Sequence, residues 1–137
     1  MNVLVVEPGF YPYEKEINGL SEMQKLVGGL IQAIYPFQEA VAVVCNENGI
    51  NLGLEFNRMI PERSYGGIFG TFFVCGLGEE DFISLTPEQV KTYTERFKKA
   101  EVFIPIKGTD YEALIKVKAK RKYPAGRPPK LRRPPSR

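Results

Sequence analysis

Ala40-Val41-Ala42-Val43-Val44-Cys45, followed at once by Asn46-Glu47-Asn48-Gly49, decides the fold. The first six residues are small or β-branched and uncharged, as a strand requires. Asn48-Gly49 supplies the positive-φ pair that a tight hairpin turn uses, so Ile50 to Phe56 is expected as the return strand. A hairpin at the centre of the chain implies an antiparallel sheet.

Working outward, Thr71 to Cys75 is the clearest strand, and Gly76-Leu77-Gly78 is expected to break it. Between them, Asn57 to Ile68 holds Pro61 and Gly66-Gly67 and reads as a loop. Glu79-Glu80-Asp81 reads as a solvated turn. At the other end, Val3 to Glu7 reads as a short buried strand and Pro8-Gly9 as a turn. Tyr13 to Ile17 is the expected partner, with Tyr13, Lys15 and Ile17 on one face and Glu14 and Glu16 on the other. Ser21 is the expected cap of a short helix carrying Met23, Leu26 and Val27, stopped by Gly28-Gly29. Leu30 to Tyr35 is strand-like.

The strongest helix starts at Thr86. Pro87 occupies its first position and Gln89 completes a capping box, with Val90, Tyr93, Phe97 and Ala100 as the buried stripe. Val102 to Ile106 is a further strand. Tyr111 to Ala119 is ambiguous: the residues alternate like a strand, yet Asp110 could cap a helix. The expected fold is α+β, a small mostly antiparallel sheet with two or more short helices.

Charge divides the chain. Nine basic residues and all sixteen acids precede Lys116, a balance of −7, while Lys116 to Arg137 holds ten basic residues and no acid. The expected organisation is therefore a compact domain over 1–115 and a basic, proline-rich tail over 116–137. Prolines 124, 128, 129, 134 and 135 favour an extended polyproline conformation in that tail. An extended cationic arm tracks a phosphate chain with little base specificity. Lys116, Lys118, Lys120, Arg121, Lys122, Arg127, Lys130, Arg132, Arg133 and Arg137 are the expected contacts to nucleic acid or another polyanion. The alternative for the arm is to lie along its own acidic body.

Histidine is absent, which excludes Ser-His-Asp and Cys-His triads and removes the commonest metal ligand. Cys45 and Cys75 form no C-x-x-C pair, so neither a metal nor a cofactor is expected, and both thiols are expected to be buried. The glycine runs at 66–70 and 76–78 do not continue into Gly-Lys-Ser/Thr and read as turns or bulges. Asn46, Asn57 and Arg58 follow apolar runs, where strands end and ligands are met. With Tyr35 and Phe37 as stacking rings, Arg58 would take the phosphate of a small anionic ligand such as a signalling nucleotide. For Asn46 and Glu47, turn chemistry alone is the simpler account. No apolar run approaches the ~20 residues of a membrane helix. The N-terminus lacks a basic leader, so a soluble cytoplasmic protein is expected.

Tyr35-Pro36-Phe37, Val41 to Glu47, Gly49, Gly53-Leu54, Asn57-Arg58, Gly70 to Gly76 and the opening Val3 to Gly9 together resemble the family known as domain of unknown function 3846. Glu55 and Gln38-Glu39-Ala40 depart from its pattern at loop level. The resemblance covers about residues 1–100 and carries no catalytic residues. It implies a small protein encoded by phages or conjugative elements of Firmicutes and other gut bacteria. Such a protein is expected to be a non-enzymatic accessory that binds nucleic acid, a host protein or a nucleotide signal. A carboxylate-only enzyme is the remaining class.

Overall fold

The structure, a computed structural model, describes residues 1–123. The expected extended conformation beyond Pro124 lies outside the described residues. The described chain is α+β and mostly antiparallel, as expected. Its main sheet has the order β2-β1-β7-β4-β3, from β1 (Asn2–Val6), β2 (Tyr13–Glu16), β3 (Ile31–Ile34), β4 (Val41–Asn46) and β7 (Phe72–Leu77). The short β8 (Phe82–Ile83) pairs with β7 beyond its ladder to β1.

The uncharged runs are the sheet's three inner strands, and both of their faces are covered. Leu4, Val6, Val41, Val43, Phe72 and Val74 point to one side, under α2 (Pro87–Phe97) and the pair β5 (Phe56–Ile60) and β6 (Gly66–Phe69). Val3, Val5, Ala42, Val44 and Phe73 point to the other, under α1 (Gly19–Val27). Burial on both faces explains why these strands carry no polar alternation. The edge strand β2 is buried only at its start and does not show the expected alternation. Lys15 and Glu16 are exposed, and Tyr13 closes one side of the second cluster.

Three further expectations need correction. Ile50 to Phe56 is not a return strand. Both edges of β4 are taken, by β3 and β7, so no hairpin partner fits beside it. Residues 47–53 instead form successive turns, with Leu52 N–H donating to Asn48 O. Neither Asn48 nor Gly49 has positive φ. Glycine is needed at 49 for space, because a Cβ there would meet the Phe69 carbonyl oxygen at 2.5 Å.

Asn57 to Ile68 is not a loop but most of the β5–β6 hairpin, turned by a 3₁₀ segment at Glu62–Ser64. There Arg63 and Ser64 take left-handed φ values of 54° and 58°. Gly67 reads as a breaker, yet it sits in β6 because the Phe56 ring occupies the place of its Cβ. Asn18, not Ser21, is the residue before α1, and its backbone N–H is met by Glu22 Oε1. Gly28 ends that helix in the left-handed region at φ 79°, as the Gly28-Gly29 stop predicts.

The capping box at Thr86 is present in full: Gln89 N–H donates to Thr86 Oγ1, and Thr86 N–H to Gln89 Oε1. Thr86→Ala is expected to cost about 1 kcal/mol in urea unfolding, with little change in the slope of the transition. Tyr93 and Phe97 are buried as expected. Ala100 is buried too, but in β9 (Lys99–Pro105), because α2 stops at Phe97. The ambiguous Tyr111 to Ala119 is a strand, β10 (Glu112–Lys118), antiparallel to β9 over seven residue pairs. Residues 119–123 then run back beside the loop after β1. Tyr11 N–H donates to Lys120 O, and Lys120 N–H to Gly9 O.

Candidate nucleic-acid interface

The chain from Lys116 to Tyr123, expected to open a free tail, belongs to the folded body. Lys116 and Lys118 lie on β10, and Ala119 is buried. Lys122 Nζ donates to Glu7 Oε2 at 2.9 Å, and the Tyr123 ring meets Tyr13 edge-on at 4.9 Å between centroids. The same Glu7 oxygen accepts from the Tyr13 hydroxyl. Burial and the Glu7 contact push the Tyr13 phenol well above its usual range, so it stays a donor. The hydrogen bond to Glu7 holds the Lys122 ammonium charged, its pKa raised against a small opposing effect of burial. The folded chain therefore continues past the expected boundary at 115, at least as far as Tyr123.

This strap completes a cationic concavity of about 830 Å³. Its lining is Tyr11, Lys98, Lys99, Val117, Ala119 and the cations Lys116, Lys118, Lys120 and Arg121. Lys118 stands opposite Lys99 in the β9–β10 ladder. Arg121 lies over the Tyr11 ring with Cζ 4.0 Å from its centroid, within cation–π range. Lys98 is paired with Glu95 one helical turn back, and that hydrogen bond raises its pKa. Six cations beside one aromatic ring can hold a chain of phosphates and offer a base a stacking surface.

Arg58 stands behind this concavity, not in it. It is fully buried. Its guanidinium donates to Phe10 O at 2.8 Å and Phe97 O at 3.0 Å through Nη2, and to Asn57 Oδ1 at 2.8 Å through Nη1. Phe10 and Phe97 immediately precede Tyr11 and Lys98, so one side chain ties both walls of the groove together. Phe97 O lies at the negative end of α2, where a cation is favoured. Burial pushes the Arg58 pKa down to about 10, with the carboxylate of Glu101 opposing the shift, and the group stays charged at neutral pH. Glu101, itself buried, accepts from Met59 N–H. Arg58 Nε is left without a partner among the described residues.

The structure does not bring the expected small-ligand residues together. Arg58 does not meet a phosphate from inside the core: the side chain is fully buried, and both Nη atoms donate to carbonyl and amide oxygens. Asn57 is buried and its amide holds Val6 O and Gly70 O. Phe37 packs on Tyr93 and Phe97 as part of the core. Tyr35 is exposed but lines a shallow cleft with Glu79, Glu80 and Asp81, which repel an anion. Asn46 does turn chemistry: its Oδ1 accepts from Asn48 N–H at 2.7 Å, and its amide donates to Val27 O.

Both thiols are buried, and burial pushes Cys45 up to about 11 and Cys75 up to about 12, far from the thiolate form. Among the described residues no group of three or more His, Cys, Asp or Glu is placed to hold a metal, and no helix is long and apolar enough to cross a membrane. Arg127, Lys130, Arg132, Arg133 and Arg137 lie outside the described residues.

Fold and site together define a three-layer α+β protein with a basic groove at one end of its α2 side. Residues 1–98 match the model of the family described as Domain of unknown function (DUF3846), and the chain belongs to that family. The chain matches no curated protein and no solved structure. The family match ends at Lys98, so β9, β10 and most of the groove cations lie beyond it.

Proposed function

We propose that this chain is a non-enzymatic binding protein for nucleic acid, and that the fold-held groove makes its first phosphate contacts. The observation that carries this reading is the convergence of Lys98, Lys99, Lys116, Lys118, Lys120 and Arg121 around Tyr11. Their source elements are separate: the end of α2, β9, β10 and the strap after it. Like charges gathered from four segments repel one another, and a polyanion relieves that repulsion by neutralising them. Tyr11 favours a single strand, whose unpaired bases can stack, over a duplex. The basic residues from Arg127 onward extend the same charge along the ligand. The acidic remainder of the body is left for a second partner, such as a host protein. In this reading the protein works in the cytoplasm, as an accessory of a phage or conjugative element.

Titration of the full chain into a labelled single-stranded oligonucleotide tests the reading. Binding is expected to weaken linearly on logarithmic axes as salt rises, with little dependence on base sequence. Absence of binding at low salt to single strands and duplexes alike overturns it.

A further inference from the structure

The outer edge of β10 carries an inference that stands on strand pairing, although Lys116 and Lys118 also line the groove. Among the described residues β10 pairs only with β9, so its other edge offers a row of unpaired backbone groups. An open edge of seven residues invites a further strand. Val102, Ile104, Ala113, Ile115 and Val117 share one face of this hairpin, with no charge among them, and Val102 and Ile104 are exposed. At the tip Tyr111 is 76% exposed. A hairpin with so much uncovered apolar surface is marginal alone and gains by addition of strands.

The sequence of β10, Glu112-Ala113-Leu114-Ile115-Lys116-Val117-Lys118, is complementary to itself when reversed. Set antiparallel about Ile115, each Glu112 stands opposite a Lys118, each Ala113 opposite a Val117, and Ile115 opposite Ile115. Leu114 meets Lys116, whose stem covers it. Opposed residues of an antiparallel pair share a face, so the uncharged faces of the two copies become continuous. Neither Glu112 nor Lys118 has an ion-pair partner within the described residues, so both are free for this exchange. The segment 124–137 is a poor competitor for the edge. Its five prolines lack the N–H that a ladder needs, and it has no acid to meet Lys116 or Lys118.

We propose that two copies of this chain dimerise through β10, in an antiparallel register centred on Ile115, forming a continuous four-stranded sheet. The antiparallel register sets the two bodies at opposite ends of the shared strands. It also puts Lys116 and Lys118 of both copies on one side of the sheet.

Sedimentation of the full chain tests this directly, with circular dichroism as the check on folding. A dimer is expected. Lys118→Glu sets carboxylates against each other twice across the two-fold axis and is expected to weaken the dimer about tenfold. Glu112→Lys combined with Lys118→Glu restores the pairing with reversed sign and is expected to recover the native affinity. A chain that stays monomeric up to its solubility limit overturns the proposal. So does a dimer that ignores Lys118→Glu, or a double variant no tighter than the single one. Ile115→Cys gives a readout free of charge effects: a short dithiol-reactive reagent is expected to link two copies through this position. Failure to link copies at that position rejects the register.

Discussion

Arg58→Met is expected to destabilise the protein by about 3–5 kcal/mol, measured by urea unfolding. The methionine fills much of the space but donates nothing. Phe10 O, Phe97 O and Asn57 Oδ1 would each lose a charge-assisted bond inside the core. A buried acceptor stripped of its donor costs about 1–3 kcal/mol. Glu101 would also lose a nearby opposite charge. Arg58→Lys keeps the charge but replaces a planar fork by a single ammonium, so an intermediate loss is expected. A cost below about 1 kcal/mol for Arg58→Met would mean that the network contributes little. The same variants bear on the groove, because Arg58 anchors the residues before Tyr11 and Lys98. Oligonucleotide binding by Arg58→Lys, under conditions where it remains folded, is expected to weaken although no phosphate contact has been removed.

The second large effect is expected from Lys99→Glu combined with Lys120→Glu in the full chain. These two side chains line the groove, are exposed, and lie outside the β10 edge. Reversing both removes two phosphate contacts and adds two repulsions. A loss of about a hundredfold or more in single-strand affinity at low salt is expected. Stability should change little, since exposed substitutions of this kind usually fall within about 0.5 kcal/mol. Because the residues beyond 123 are untouched, a large loss would assign the binding to the folded groove. Fluorescence anisotropy with a labelled oligonucleotide reads both variants on one scale.

Much of the fold is legible from local patterns. Val3 to Val6, Val41 to Cys45 and Phe72 to Cys75 are uncharged because the sheet is covered on both faces. The start of α2 is legible because Thr86, Pro87 and Gln89 act within one turn of each other. The errors arise where a distant partner overrides local chemistry. Asn48-Gly49 suits a tight hairpin, but β3 and β7 already hold the edges of β4. Gly66 and Gly67 resemble loop residues, yet the aromatic packing of Phe56 on Phe69 excludes a side chain at 67.

The groove was obscured by charge. From Lys116 onward the run of cations reads as a tail, although Ile115, Val117 and Ala119 keep the period of a strand through it. That alternation was the available signal, and β10 follows it as far as Lys118. Arg58 misleads in the opposite way. A polar pair inside Phe56-Asn57-Arg58-Met59-Ile60 suggests a ligand, whereas its partners are backbone oxygens brought from Phe10 and Phe97. No local pattern announces such a contact, because its partners are 48 and 39 residues away.

The most direct measurement is the salt dependence of single-strand affinity, for the native chain and for one carrying Lys99→Gln, Lys116→Gln, Lys118→Gln and Lys120→Gln. If the folded groove holds the phosphates, the slope of log affinity against log salt should fall by about 3, from four lost contacts at about 0.7 each. An unchanged slope would place the phosphate contacts elsewhere in the chain and contradict this account.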